Sequence, residues 1–182
     1  MAQSASITFA TLQRFCNHHA GAGAFERVRE QLRERRGIEL DRIFAPDAWY
    51  PTELFLTTLD TAHDVLGPAN FYELYGEFGA VTEVHVLFRW MLRLTSPTFF
   101  LQRGAGMWGK FHDTGTWTVE SAPRQLRGTL RDFGVVHANY CRVVMSWMKR
   151  AAQMTGARDV QVVHPQCRAS GAEACVFVGE WR

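Results

Sequence analysis

The sequence predicts an α+β fold: an N-terminal helical half packed on a small antiparallel sheet of about five strands, with a helix between strands three and four. Three observations carry this. Apolar residues recur at helical spacing through residue 103, in segments broken by glycine and proline. From residue 107 the period shortens to two, with turn residues between the runs. One more helical period, over 135–154, interrupts the strands. The chain reads as a single domain over 1–182, mostly helical over 1–103 and sheet-forming over 104–182.

The elements follow in order. Helices are predicted over 9–20 and 24–36, with Gly21, Gly23 and Gly37 as breaks. A connector over 38–50 holds Pro46, and Pro51-Thr52-Glu53 opens a third helix. Its apolar positions (Leu54, Leu56, Leu59, Ala62, Val65, Leu66) run to a stop at Gly67-Pro68. A longer helix is predicted over 71–94, weakened at its start by Gly76 and Gly79. Ser96-Pro97 ends it and caps a short helix over 98–103. Residues 107–111 and 116–120 flank His112-Asp113-Thr114-Gly115, a hairpin signal. A half-buried strand over 125–133 and the helix over 135–154 come next. Strands over 160–164 and 174–181 close the chain, joined by a loop with Pro165 and Gly171.

Composition excludes several classes. A formal net charge of +2, without clustering of arginines, argues against a nucleic-acid partner. No apolar run is long enough to span a membrane. Residues 1–8 show no basic n-region and no apolar h-region, so a reducing, cytoplasmic location is expected. There is no Gly-rich dinucleotide loop, nucleophile elbow or HExxH helix, so the chain is expected not to be an enzyme.

The most informative residues are Cys141, His164, Cys167 and Cys175. Three thiols and an imidazole make a Cys3His set, a full shell for tetrahedral zinc with no open position, hence a structural rather than catalytic site. The strand–turn–strand context would bring His164, Cys167 and Cys175 together, with Cys141 projecting from the preceding helix. Two other readings stand beside this one. Cys141 shares a helix face with Tyr140, Val144, Trp147 and Met148 and is then plain core. Cys167 and Cys175 would alternatively form a disulfide, which a reducing compartment disfavours.

At these residues the chain resembles a known superfamily. Cys167-x3-Gly171-x3-Cys175-x-Phe177, behind a helix bearing Cys141, is similar to the C-terminal signature of 4-vinyl-reductase-type domains. These group with TRAPP-like and haem-nitric-oxide-binding-like domains, a shared fold of helices on an antiparallel sheet. In sensor domains of phenol-responsive activators the matching region binds structural zinc, with an acidic residue where His164 stands here. The chain also resembles a paralogous family typical of myxobacteria, through Trp49-Tyr50-Pro51, Ser96-Pro97-x-Phe99, Trp108, Cys141-Arg142 and Glu180-Trp181.

The resemblance implies a non-enzymatic, small-molecule-binding sensory or regulatory module with structural zinc. Its ligand would be a small apolar or aromatic molecule held between helices and sheet. The inward faces offer Tyr75, Phe78, His85, Phe88, Trp108, Trp117 and Tyr140 as a pocket wall. The same aromatics also read as ordinary packed core. A protein-interaction subunit of TRAPP-like type, as a homodimer or with a protein partner, is the alternative. A reductase-like enzyme and a haem-based gas sensor rank below it. His85, followed by Pro97 and Phe99, faintly resembles a proximal haem arrangement, while the Tyr-x-Ser-x-Arg motif of those sensors is absent.

Overall fold

The computed structural model describes residues 1–40, 44–88 and 96–182, with side chains described outside 83–88. The fold is α+β, and the described chain falls into two compact units.

The first unit comprises residues 1–71 together with 111–113. Strand β1 (Gln3–Ala5) pairs antiparallel with β2 (Trp49–Pro51), an element absent from the sequence prediction. Helices α1 (Ser6–Ala20), α2 (Ala24–Arg36) and α3 (Thr52–Leu66) bury Phe9, Leu12, Phe15, Phe25, Leu32, Phe55 and Leu59. Gly37 and Gly67 close α2 and α3 in the left-handed conformation, donating back to carbonyls of the last turn. Residues 111–113 lie on the other side of β1: Ala5 N donates to Phe111 O and His112 bridges to Ser4. The His112 ring is buried, with Nδ1 2.9 Å from Ser4 Oγ, and burial lowers its pKa to about 3.

The second unit holds the four-stranded sheet. Strands β3 (Thr116–Ala122), β4 (Gln125–Arg131), β5 (Gln161–Gln166) and β6 (Cys175–Glu180) are ordered β3-β4-β6-β5, all antiparallel. Alternation puts Trp117, Leu126, Leu130, Cys175 and Phe177 on the inner face. Helices α5 (Pro97–Ala105) and α6 (Ala138–Met154) cover that face with Phe100, Leu101, Met148, Ala151 and Ala152. Ser96 caps α5, its Oγ accepting from Phe99 N, as the Ser-Pro pair predicts. Helix α4 (Phe71–Phe88) crosses α6 at Gly76, where a Cβ would meet Ser146 Oγ and Trp147 N at 3.1 Å. Beside this crossing Arg142 grips Glu73 through two hydrogen bonds, at 2.8 and 3.0 Å, and lies over the Tyr72 ring.

The layout differs from the predicted one in particular places. Residues 107–111 are not a strand: Trp108–Lys110 form a 3-10 turn, because Trp108 Nε1 donates to Thr114 O at 2.7 Å and folds the segment over itself. The main sheet therefore has four strands, and α6 lies between its second and third. The hairpin turn falls at Pro123-Arg124, with Arg124 at φ 60, instead of at 112–115. Helix α6 starts at Ala138, three residues past the expected start, because His137 Nδ1 accepts from Tyr140 N and fixes the cap there. The predicted helix over 89–94 lies outside the described residues.

Candidate functional site

The Cys3His set is brought together by three local devices. The His137 cap orients the first turn of α6 and with it Cys141. A register shift between Val163 and Gln166 breaks the β5 ladder at His164. The β5–β6 turn is closed by Cys167 O, which accepts from Ser170 N and Ala172 N, and by Gly171 at φ 88. Cys141 Sγ then lies 3.9 Å from Cys167 Sγ and 3.8 Å from Cys175 Sγ. The four ligand-type atoms all lie within 4.8 Å of one another. The cysteines are free thiols, so the disulfide alternative is not the arrangement seen.

The electrostatics follow from this crowding. Cys141 donates toward Cys175, which also accepts from Arg168 N at 3.4 Å. These hydrogen bonds lower the Cys175 pKa to about 5, the Cys141 contact being the largest cause. Cys141 moves the opposite way, held protonated first by its hydrogen bond to Cys175 and then by burial. His164 stacks on Phe177 at 4.3 Å, and its Nδ1 lies 2.8 Å from Val176 O. A carbonyl only accepts, so Nδ1 carries the proton and Nε2 presents a lone pair. That Nε2 is buried with no hydrogen-bond partner among the described residues. Such a set can share protons, and its spacing could also accommodate one metal ion.

The sequence-predicted pocket residues are placed differently. Tyr75 is buried and Phe78 half-buried on α4. His85 and Phe88 lie on the same helix, with side chains outside the described residues. Trp108, Trp117 and Tyr140 come together, Trp108 lying 5.8 Å from Trp117 and 6.4 Å from Tyr140 between ring centroids. The Trp117 indole N–H is buried without a partner among the described residues. A small cleft of about 20 Å³ opens elsewhere, between the end of β4, the start of α6 and the β5–β6 turn. Of the expected wall only Tyr140 lines it, beside Phe133, Val135, Val136 and Val144 and the sulfur cluster. Sequence reasoning missed it because Phe133-Gly134-Val135-Val136 read as the passage from strand to helix. The aromatic and β-branched run after the last strand residue was the available signal.

No family model and no curated protein matches the chain. Solved structures do. An H-NOX protein from S. oneidensis, in the Fe(II) state as a triple variant, is 17% identical with a TM-score of 0.70, covering 97% of this chain and 95% of that one. An oxygen-binding H-NOX domain related to soluble guanylate cyclases, in its oxygen complex, is 11% identical with a TM-score of 0.70, covering 97% and 94%. An unliganded Fe(II) H-NOX variant from K. algicida is 11% identical with a TM-score of 0.68, covering 98% and 96%. These neighbours correct the expected kinship with 4-vinyl-reductase-type and TRAPP-like domains. They also overturn zinc as the expected cofactor, and the zinc-bearing module with it, since these relatives in fold are described by iron and its gaseous ligands. No helix among the described residues is long and apolar enough to cross a membrane. Across nearly its whole length, the chain has the fold of H-NOX proteins.

Proposed function

We propose that the chain is a non-enzymatic, cytoplasmic sensor module that binds haem and reports a diatomic gas. The observation that supports this most strongly is a fold shared end to end with H-NOX proteins described in oxygen-bound and Fe(II) states. When bound, haem supplies an iron that takes the gas as a ligand.

The chain's own residues fit the group in two respects. The first is the histidine inventory. His112 is buried against Ser4, His137 caps α6, His164 is engaged with Val176 O, and His63 lies beside Asp64. His18 and His19 meet edge to face at the end of α1. His85 lies on α4 and is the axial-ligand candidate. The second is the Trp117 N–H, a buried donor with no acceptor among the described residues. Leaving a donor so costs about 1–3 kcal/mol unless a bound molecule supplies the acceptor. With no Tyr-x-Ser-x-Arg motif, the haem propionates would be met by other groups, and Trp117 is assigned one such contact.

Titration of purified protein with haemin tests the reading. The expected result is a saturable Soret band at one haem per chain, with weakened binding in His85→Gly. Free-haemin spectra at every ratio would overturn it. Unchanged binding in His85→Gly would remove His85 as the ligand.

A further inference from the structure

Three thiols meet at one point of the second unit, and Cys141 is their common member. Its Sγ lies 3.8 Å from Cys175 Sγ and 3.9 Å from Cys167 Sγ. Cys141 stands in the first turn of α6, while Cys167 and Cys175 flank the β5–β6 turn. A disulfide needs sulfurs about 2.05 Å apart, so closing the Cys141–Cys175 pair asks for an approach of about 1.8 Å. Rotation of two side chains and a small shift of one helix turn can supply that. Cys16 takes no part, being buried on α1 in the first unit.

The three sulfurs are not equivalent. Cys175 Sγ accepts from Arg168 N at 3.4 Å, and the Cys141 thiol donates toward it. Donors aimed at a sulfur favour negative charge on it, and it is the charged sulfur that attacks an oxidant. Cys141 stands where a resolving thiol must stand, with its S–H already directed at that sulfur. Cys175 is buried, while Cys141 and Cys167 are half-buried. Such a site is open to a small oxidant and closed to a bulky one.

We propose that Cys141 and Cys175 form a disulfide on reaction with a small hydroperoxide. The Cys175 sulfur attacks one peroxide oxygen and the O–O bond breaks. The departing hydroxide takes the thiol proton and leaves as water, so Cys175 becomes a sulfenic acid. The Cys141 sulfur then attacks the Cys175 sulfur and the S–O bond breaks. That hydroxide takes the Cys141 proton and leaves as a second water. The two sulfurs supply the two electrons that reduce the peroxide. The site acts without haem and stands whether or not the sensor reading does.

Hydrogen peroxide is the probe, added to reduced, haem-free protein dialysed against a chelator. The remaining thiols are alkylated and the peptides mapped by mass spectrometry without reduction. The expected product is one Cys141–Cys175 disulfide within a chain, reversed by dithiothreitol, with Cys16 and Cys167 alkylated. Cys141→Ser should leave a sulfenic acid on Cys175 that dimedone traps. Folded wild-type protein that forms no disulfide overturns the proposal, as does one that joins separate chains. A bond from Cys167 to either neighbour overturns the pairing. Disulfide formation undiminished in Cys141→Ser, or no dimedone adduct on Cys175, removes the roles given to the two residues. An equal yield with oxidised glutathione would overturn the choice of a small hydroperoxide.

Discussion

Gly76→Ala tests how α4, the helix that carries His85, is held. A Cβ at this position would overlap the Val143 carbonyl oxygen and stand 3.1 Å from both Ser146 Oγ and Trp147 N. All three belong to α6, and two of them are backbone, so relief requires the helices to separate. Overpacking of this kind costs about 1–3 kcal/mol. Alanine returns about 0.8–1.0 kcal/mol of helix propensity over glycine. Because the opposing atoms cannot rotate away, the upper part of the cost applies, and the net loss is about 1–2 kcal/mol. In a chain of this size each kcal/mol moves Tm by about 2–4 °C, so a fall of about 2–8 °C is expected. Gly109→Ala is the control, since a Cβ there meets nothing within 4 Å, and it should stay within about 0.5 kcal/mol of wild type. Thermal melting followed by circular dichroism reads both. A Gly76→Ala protein that melts at or above wild type would refute the close crossing of α4 and α6.

Three further outcomes are expected. His112 has a folded pKa near 3 against an ordinary 6.5, so its burial contributes stability that is present above pH 6.5 and lost as pH falls toward 3. The loss is roughly 5 kcal/mol at 1.36 kcal/mol per pKa unit. Denaturant midpoints of His112→Gln should show a shallower fall over that window, and an identical profile would contradict it. Cys141→Ala removes the main cause of the low Cys175 pKa, so the Cys175 thiolate should titrate above about 5. Ultraviolet thiolate absorbance against pH, in protein dialysed against a chelator, checks this, and an unmoved titration would contradict it. Gly128→Ala would put a Cβ 2.8 Å from the Trp117 ring, turning the indole at a cost of about 1–3 kcal/mol. A changed tryptophan emission spectrum should accompany the lower Tm, and an unaltered spectrum would place Trp117 elsewhere.

The helices were legible because their signals are local and strong. Gly23 and Gly37 bracket α2, and Pro51 and Gly67 bracket α3, so both span the residues the sequence indicates. Strands β1 and β2 were not legible, since three residues are too few to show a period of two and their partner lies far along the chain. Residues 107–111 look like a strand by residue type, but the Trp108–Thr114 hydrogen bond wins over propensity. The convergence of Cys141, His164, Cys167 and Cys175 was legible because a helix followed by a hairpin has few ways to place four such residues. The likeness in fold to H-NOX proteins was less legible. A motif of about a dozen residues reports a local corner, whereas the fold shared with H-NOX proteins is spread over the whole chain at 11–17% identity. The proposed haem ligand, His85, has as its signal one histidine on an apolar helix, which is indistinguishable by pattern from a core residue.

The most direct test of the sensor reading is the visible spectrum of the haem-reconstituted, reduced protein before and after carbon monoxide. A Soret maximum that shifts on adding the gas, reversibly and at one equivalent per chain, is the expected result. A protein that takes up no haem, or whose reduced spectrum is unmoved by carbon monoxide and nitric oxide alike, would contradict it.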